Sequence, residues 1–294
     1  MKELVIISGK GGTGKTTFTA SFAALAKQAV FADCDVDAAD LHLLLKPEVH
    51  HREDFRSGFT AWIDPAKCTH CGKCQEVCRF DAVNDSFDKT QDRSYVVNRF
   101  ACEGCCVCAY ICPVRAIEMQ ENVCGEWYIS TTKYGPMVHA KLDAAAENSG
   151  KLVALVRQQA KHLAEEQGKS LILIDGSPGI GCPVISSIAG ADLVLVVTEP
   201  TLSGVHDLHR VTELTAHFNI PTSVCVNKYD LNQQITDDIK MYCSEHHLSF
   251  VGAIPYDLVV VEALVRQLPV VECSQETVVQ TITQIWQRLE QRLG

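Results

Sequence analysis

Two groups of residues have the types and spacing to do chemistry. The first is Gly9-Lys10-Gly11-Gly12-Thr13-Gly14-Lys15-Thr16-Thr17. It fits G-x-x-x-x-G-K-[ST]: the glycines let backbone N–H groups converge on phosphates, Lys15 reaches the outer phosphates, and Thr16 offers its hydroxyl to Mg2+. Two acidic stretches complete a nucleotide-hydrolysis set. Leu171-Ile172-Leu173-Ile174-Asp175 reads as a buried strand ending in an acid, which puts Asp175 behind the Mg2+. Gly176-Ser177-Pro178-Gly179 follows and can move with phosphate state. Asp33-Cys34-Asp35-Val36-Asp37 is a carboxylate cluster near the third phosphate, where one member orients the attacking water. The second group is cysteine. Of 15 cysteines, eight lie in two runs, Cys68-x2-Cys71-x2-Cys74-x3-Cys78 and Cys102-x2-Cys105-x2-Cys108-x3-Cys112-Pro113. Such clustering is what a metal site produces, since thiolates are soft ligands.

These residues need elements to hold them. The 294 residues are 47% hydrophobic and 21% charged, which excludes disorder and fibrous classes. A formal net charge of −10 argues against a general affinity for nucleic acid or anionic lipid. An odd cysteine count with no secretory signal is unlike a disulfide framework, so a reducing, cytoplasmic compartment is expected. No stretch approaches the ~18 consecutive apolar residues of a membrane span. Short apolar runs alternate with longer amphipathic ones, the pattern of an α/β fold with a mostly parallel sheet flanked by helices. Strands are expected at 3–8, 29–33, 170–175, 192–198, 222–227 and 249–254. Helices are expected near 14–27, 151–167, 183–190, 203–218, 231–247, 257–267 and 275–292. From 58 to 122 the periodicity breaks down over a stretch too long for a connection, and this stretch carries both cysteine runs. It is expected to be an inserted α+β domain, with 1–57 and 123–294 forming the surrounding domain. Segments 126–133 and 136–142 read as the strand pair that returns to the sheet.

Lys10 is a second lysine placed before the usual one. With KGGTGKTT, the DCD stretch and the DGSPG stretch in that order, the chain resembles the MinD/ParA/Mrp family of P-loop ATPases, which also includes the nitrogenase iron protein. The resemblance implies a homodimer that closes on ATP, with Lys10 reaching the phosphates bound by the partner subunit and Asp35 positioning the water. It also implies that Asn227, beside Lys228, reads the adenine edge and that Pro255-Tyr256-Asp257 lines the base. In form, Asn227-Lys228-Tyr229-Asp230 is equally the NKxD pattern of guanine-reading GTPases. Both readings use Asn227 and they divide on Asp230; the loop and switch stretches favour ATP.

The two cysteine runs resemble those of bacterial two-cluster ferredoxins, in which the fourth cysteine of each run serves the other cluster. The resemblance implies one 4Fe-4S cluster on Cys68, Cys71, Cys74 and Cys112, and another on Cys102, Cys105, Cys108 and Cys78. Arg79 stands where proline usually follows. Paired C-x2-C units also build zinc sites, which is the rival reading. Cys106 is one thiol too many and is expected to be a small buried residue. Cys182, seven residues past Asp175, is expected to be a helix-start thiol, or else a contact for a shared cluster. The terminal helix is expected to pack on the sheet, with a membrane-touching role as the alternative. The expectation for the whole is a dimeric ATPase whose nucleotide cycle drives electron or iron-sulfur cluster transfer to a redox or iron-sulfur client. A non-catalytic cluster carrier and a positioning ATPase with structural or sensing clusters are the alternatives.

Overall fold

A computed structural model of the chain describes residues 1–86, 94–143, 149–273 and 277–294. The chain divides into two units. The first comprises Met1–Glu53, Glu126–Leu142 and the described residues of Asn148–Gly294; the second comprises Asp54–Gly125 and the described part of Asp143–Glu147. In chain order the elements are β1 (Lys2–Ser8), α1 (Lys15–Leu25), β2 (Ala29–Asp33), α2 (Leu41–Leu45), β3 (Glu48–Ile63), α3 (Lys73–Glu76), β4 (Val83–Ser86) and β5 (Ser94–Val97). There follow α4 (Val107–Ile111), β6 (Ile117–Thr132), β7 (Gly135–Leu142), α5 (Ser149–Glu166), β8 (Leu171–Pro178), α6 (Cys182–Ile188) and β9 (Leu193–Thr198). The chain continues with α7 (Leu202–His217), β10 (Thr222–Asn227), α8 (Gln233–Glu245), β11 (Ser249–Ile254), α9 (Leu258–Arg266) and α10 (Thr277–Leu293).

The strands form a nine-stranded sheet in the order β11-β10-β9-β1-β8-β2-β7-β6-β3. The pairs from β11 through β7 are all parallel. Parallel strands are covered on both faces, which is why β1 reads as the unbroken run Leu4–Ile7, fully buried. β6 and β7 are neighbours joined by Lys133-Tyr134, and a two-residue connection permits only an antiparallel pair. Thr132 Oγ1 accepts from the Tyr134 and Gly135 amides and holds that turn.

One layer of the core is built where α1 meets α10. The Phe22 ring lies 5.3 Å from Trp286, and Val278, Ile282, Ile285 and Leu289 are buried beside them. The apolar face of α10 is thus spent on packing. Among the described residues no helix is long and apolar enough to cross a membrane.

The connection into the second unit differs from expectation. β3 and β6 are each 16 residues long, and the division falls at 53/54 and 125/126 rather than at 57/58 and 122/123. Residues 48–54 are all exposed and lack the apolar alternation that marks a half-buried strand. They lie on the last strand of the sheet, where no such alternation is required.

In the second unit, β4 and β5 pair antiparallel, Val83 opposite Val97. Its core is Ala61, Ile63, Cys74, Val83 and Ile117, with Cys68, Cys78, Cys102, Cys108 and Cys112 packed against it. The two cysteine runs share one backbone plan. Left-handed residues recur at matching positions: His70 (φ 55°) with Gly104 (φ 62°), Gly72 (φ 76°) with Cys106 (φ 64°), and Asp81 (φ 50°) with Arg115 (φ 52°).

Candidate functional site

In the first unit the glycine loop joins β1 to α1, at the strand ends where ligands of open parallel sheets bind. Gly14 is left-handed (φ 96°), and a Cβ there would come within 2.5 Å of Asn227 Nδ2, so this position requires glycine. Asn227 Nδ2 donates to the Thr13 carbonyl at 2.8 Å, tying the end of β10 to the loop. The Thr13 hydroxyl is buried without a partner. The ends of the neighbouring strands are stitched to one another. Gly179 N donates to Ser8 O (2.8 Å), Cys34 N to Asp175 O (2.8 Å), and Ser177 Oγ to Cys34 O (2.7 Å).

Lys15 and Asp175 form the buried centre. Lys15 Nζ lies 3.1 Å from Asp175 Oδ1 and 3.1 Å from Asp35 Oδ2. Asp175, at 0% exposure, also accepts from Thr16 Oγ1 and Thr19 Oγ1, each at 2.8 Å. Burial opposes the charge on Lys15, but Asp175, Asp35 and Asp33 outweigh it and hold its pKa above the ordinary lysine range. Burial pushes the Asp35 carboxyl up, and the adjacent Lys15 works against that shift. Asp33 lies deeper and accepts from the Asp35 and Leu41 amides at 3.2 and 3.3 Å. Its pKa is pushed well up, first by burial and then by the charge of Asp175.

A cleft of about 1210 Å3, part of it open solvent, is lined by Gly11, Gly12, Gly14, Lys15, Thr16, Thr17 and Asp35, with Asp40, Pro178 and Leu264. The expected base-reading residues do not line it. Asp257 instead caps α9, accepting from Val259 N at 2.9 Å. Asp230 accepts from Tyr256 N at 2.7 Å and so braces the loop that contains Pro255. Gly9 packs on α7, where a Cβ would run into Asp207.

Lys10 has partners that sequence reasoning missed. Its ammonium lies 2.6 Å from Glu199 Oε1 and donates to Ser203 Oγ (2.9 Å) and Thr201 Oγ1 (3.2 Å). Lys228 reaches the other Glu199 oxygen at 3.5 Å. Burial works against the Glu199 charge, yet the contacts with Lys10 and Lys228 hold its carboxyl below the usual range. The only local signal for Glu199 is an acid directly after the apolar run of β9. Thr19, the further donor to Asp175, sits one turn beyond Lys15 on α1 and carried no signal of its own.

In the second unit the cysteines line two separate cavities. One, of about 320 Å3 including open solvent, is lined by Cys68, Cys71, Cys74 and Cys112 among others. The other, of about 380 Å3 on the same measure, is lined by Cys78, Cys102, Cys105, Cys106 and Cys108 among others. Each cavity therefore takes the last cysteine of the opposite run. Among the described residues no three His, Cys, Asp or Glu side chains are grouped to hold a single metal ion. All 15 cysteines are free thiols, and Cys71, Cys105, Cys106 and Cys182 are exposed. Exposure of Cys106 departs from the buried position expected of it. The residue caps the start of α4 in a left-handed conformation. Cys182 opens α6, as expected of a helix-start thiol.

The parallel sheet, the glycine loop opening α1 and the buried Lys15–Asp175 pair define a P-loop nucleotide-binding α/β protein. The model of the CobQ/CobB/MinD/ParA nucleotide binding domain matches residues 4–270, and the chain belongs to that family. The family is one of nucleotide-binding domains. It is 32% identical over 298 aligned residues to the uncharacterized protein MJ0578 of Methanocaldococcus jannaschii, covering 98% of this chain and 96% of that one. A second protein of that organism, MJ0579, is 27% identical over 89% of this chain and 90% of its own length. Among solved structures, the septum site-determining protein MinD with Mg-ADP from Pyrococcus horikoshii is similar in fold, with a TM-score of 0.60 at 16% identity, covering 100% of this chain and 97% of that one.

Proposed function

We propose that this chain is a homodimeric ATPase whose nucleotide cycle drives electron transfer from paired iron-sulfur groups to a client protein in the cytoplasm. The observation that carries this reading is the pair of cavities, one bordered by four cysteines and the other by five, each including one from the opposite run, on the same chain as the P-loop site. The donor set fits two 4Fe-4S clusters: Cys68, Cys71, Cys74 and Cys112 would hold one, and Cys102, Cys105, Cys108 and Cys78 the other. When bound, such clusters would supply one-electron carriers. The exposure of Cys71 and Cys105 favours a second reading, in which the cluster itself is passed on.

In the nucleotide site the loop amides from Gly9 to Thr17 bind the phosphates. Lys15 turns from its carboxylate partners to the outer phosphates, and Thr16 with Asp175 would hold Mg2+, which neutralises charge there. Asp35 orients the attacking water. Lys10 leaves Glu199 and reaches across to the phosphates held by the partner subunit, where it stabilises transition-state charge as an arginine finger does. On this reading Asn227, Lys228, Pro255 and Asp257, which lie outside the lining of the phosphate cleft, would meet the base, and Gly179 belongs to the segment that responds to phosphate state. ATP is the substrate on this reading, because Asp230 is spent on bracing the loop.

For hydrolysis to drive transfer, nucleotide must bind two redox or conformational states with different affinity, since equal affinity shifts nothing. Anaerobic purification followed by redox titration with and without MgATP tests this. Two cluster signals whose potentials move on adding MgATP support the reading. Iron-free protein, or potentials and EPR line shapes indifferent to nucleotide, would sink it. Asp35→Ala is expected to retain ATP, lose more than about 100-fold in turnover and trap the dimer with its client.

A further inference from the structure

The two cysteine cavities differ by one thiol, and that difference rests on more than one cysteine. The first has four cysteines on its wall and the second has five, Cys106 being the extra. A four-iron cluster takes four thiolates, so the second set has a surplus. Three of the five, Cys78, Cys102 and Cys108, are half-buried and packed against the core of the unit. The other two, Cys105 and Cys106, are consecutive and exposed. In the first run the residue after Cys71 is Gly72, which occupies the same left-handed helix-start position as Cys106 (φ 76° against φ 64°) and has no sulfur. A side chain in that conformation is disfavoured, and glycine is the default. The second run nevertheless puts a thiol there, on the wall of the cavity, with only a weak 3.4 Å contact from its Sγ to the Gly104 carbonyl to give up.

We propose that Cys105 and Cys106 are alternative ligands for one iron of the second cluster, so that this cluster alone has an exchangeable corner. The inference rests on the iron-sulfur reading above. In the exchange the Cys106 thiol loses its proton to solvent as its sulfur bonds iron. The Cys105–iron bond breaks, and the Cys105 sulfur takes up a proton. No electron changes hands and the cluster keeps four thiolates throughout.

The test uses the full chain, loaded anaerobically with iron and sulfide. Iron content and the EPR spectrum of the reduced protein are read for Cys71→Ala, Cys105→Ala, and Cys105→Ala combined with Cys106→Ala. Cys71→Ala is expected to lose about half of the bound iron. Cys105→Ala is expected to keep the full complement with altered EPR lines, and the double variant to lose about half. A loss in Cys105→Ala equal to that in Cys71→Ala, while the unsubstituted chain is fully loaded, overturns this inference and leaves the iron-sulfur reading standing. An unsubstituted chain that takes up no iron overturns both. Limited anaerobic alkylation of the loaded, unsubstituted chain needs no variant to fold. Label divided between positions 105 and 106 supports exchange, and label on 106 alone overturns it.

Discussion

Lys15 is a buried cation between two carboxylates, and that placement has a cost apart from catalysis. Removing one partner of a buried ion pair leaves uncompensated charge, a loss of about 3–5 kcal/mol. Lys15→Met is therefore expected to lower the unfolding free energy of nucleotide-free protein by a few kcal/mol in urea titrations, besides abolishing hydrolysis. A variant that unfolds at the original urea midpoint would show that the buried pairing adds no net stability. Cys106 carries the opposite expectation. Replacing it by the glycine found at the matching position 72 relieves a left-handed side chain, worth about 1 kcal/mol, so metal-free Cys106→Gly should be the more stable protein by denaturant midpoint. The site residues were legible to different degrees for a physical reason. Gly14, Lys15 and Thr16 are recognisable because one short loop must carry all of them. The tie from Lys10 to Glu199 joins residues 10 and 199, which share no local pattern, and only the fold brings them together.

Among the elements, β7 carries a titration that can be followed. His139 is buried, shares a 2.9 Å hydrogen bond between its Nε2 and Ser130 Oγ, and stacks on Tyr128 at 4.8 Å and on His42 at 6.5 Å. Burial first, and then the charge of His42, lower its pKa to about 4. The unfolded chain, with histidine near 6.5, takes up the proton earlier, so the stabilisation is complete above about pH 6.5 and is lost as pH falls towards 4. The slope of unfolding free energy against pH should steepen by up to about 1.4 kcal/mol per pH unit in that window and flatten in His139→Gln. An unchanged acid limb in that variant would count against the assignment. The central strands were readable because burial on both faces demands apolar runs such as Leu193–Thr198. The strand over Glu48–Ile63 was not, because the charged stretch from His50 to Asp54 carries no period.

At the scale of the whole molecule, the core cluster among the described residues of the second unit has five buried members, one of them a cysteine. Units of that size usually need disulfides or metal to stay folded. Stripping iron from the loaded chain should therefore open residues 54–125 to proteases while the nucleotide-binding unit stays resistant, giving one large fragment set on a gel. Equal digestion with and without iron would show that the unit stands unaided. The outermost strand of the sheet has its own consequence. A terminal strand offers unpaired amides and carbonyls to any passing chain, and β3 places His50, His51, Arg52, Glu53 and Asp54 there, all but Phe55 and Ser57 exposed as far as Phe59. Polymerisation edge to edge is thus deterred by the hydration of these charged and polar side chains; exchanging that stretch for threonine and valine should make the protein precipitate into ribbons as concentration rises.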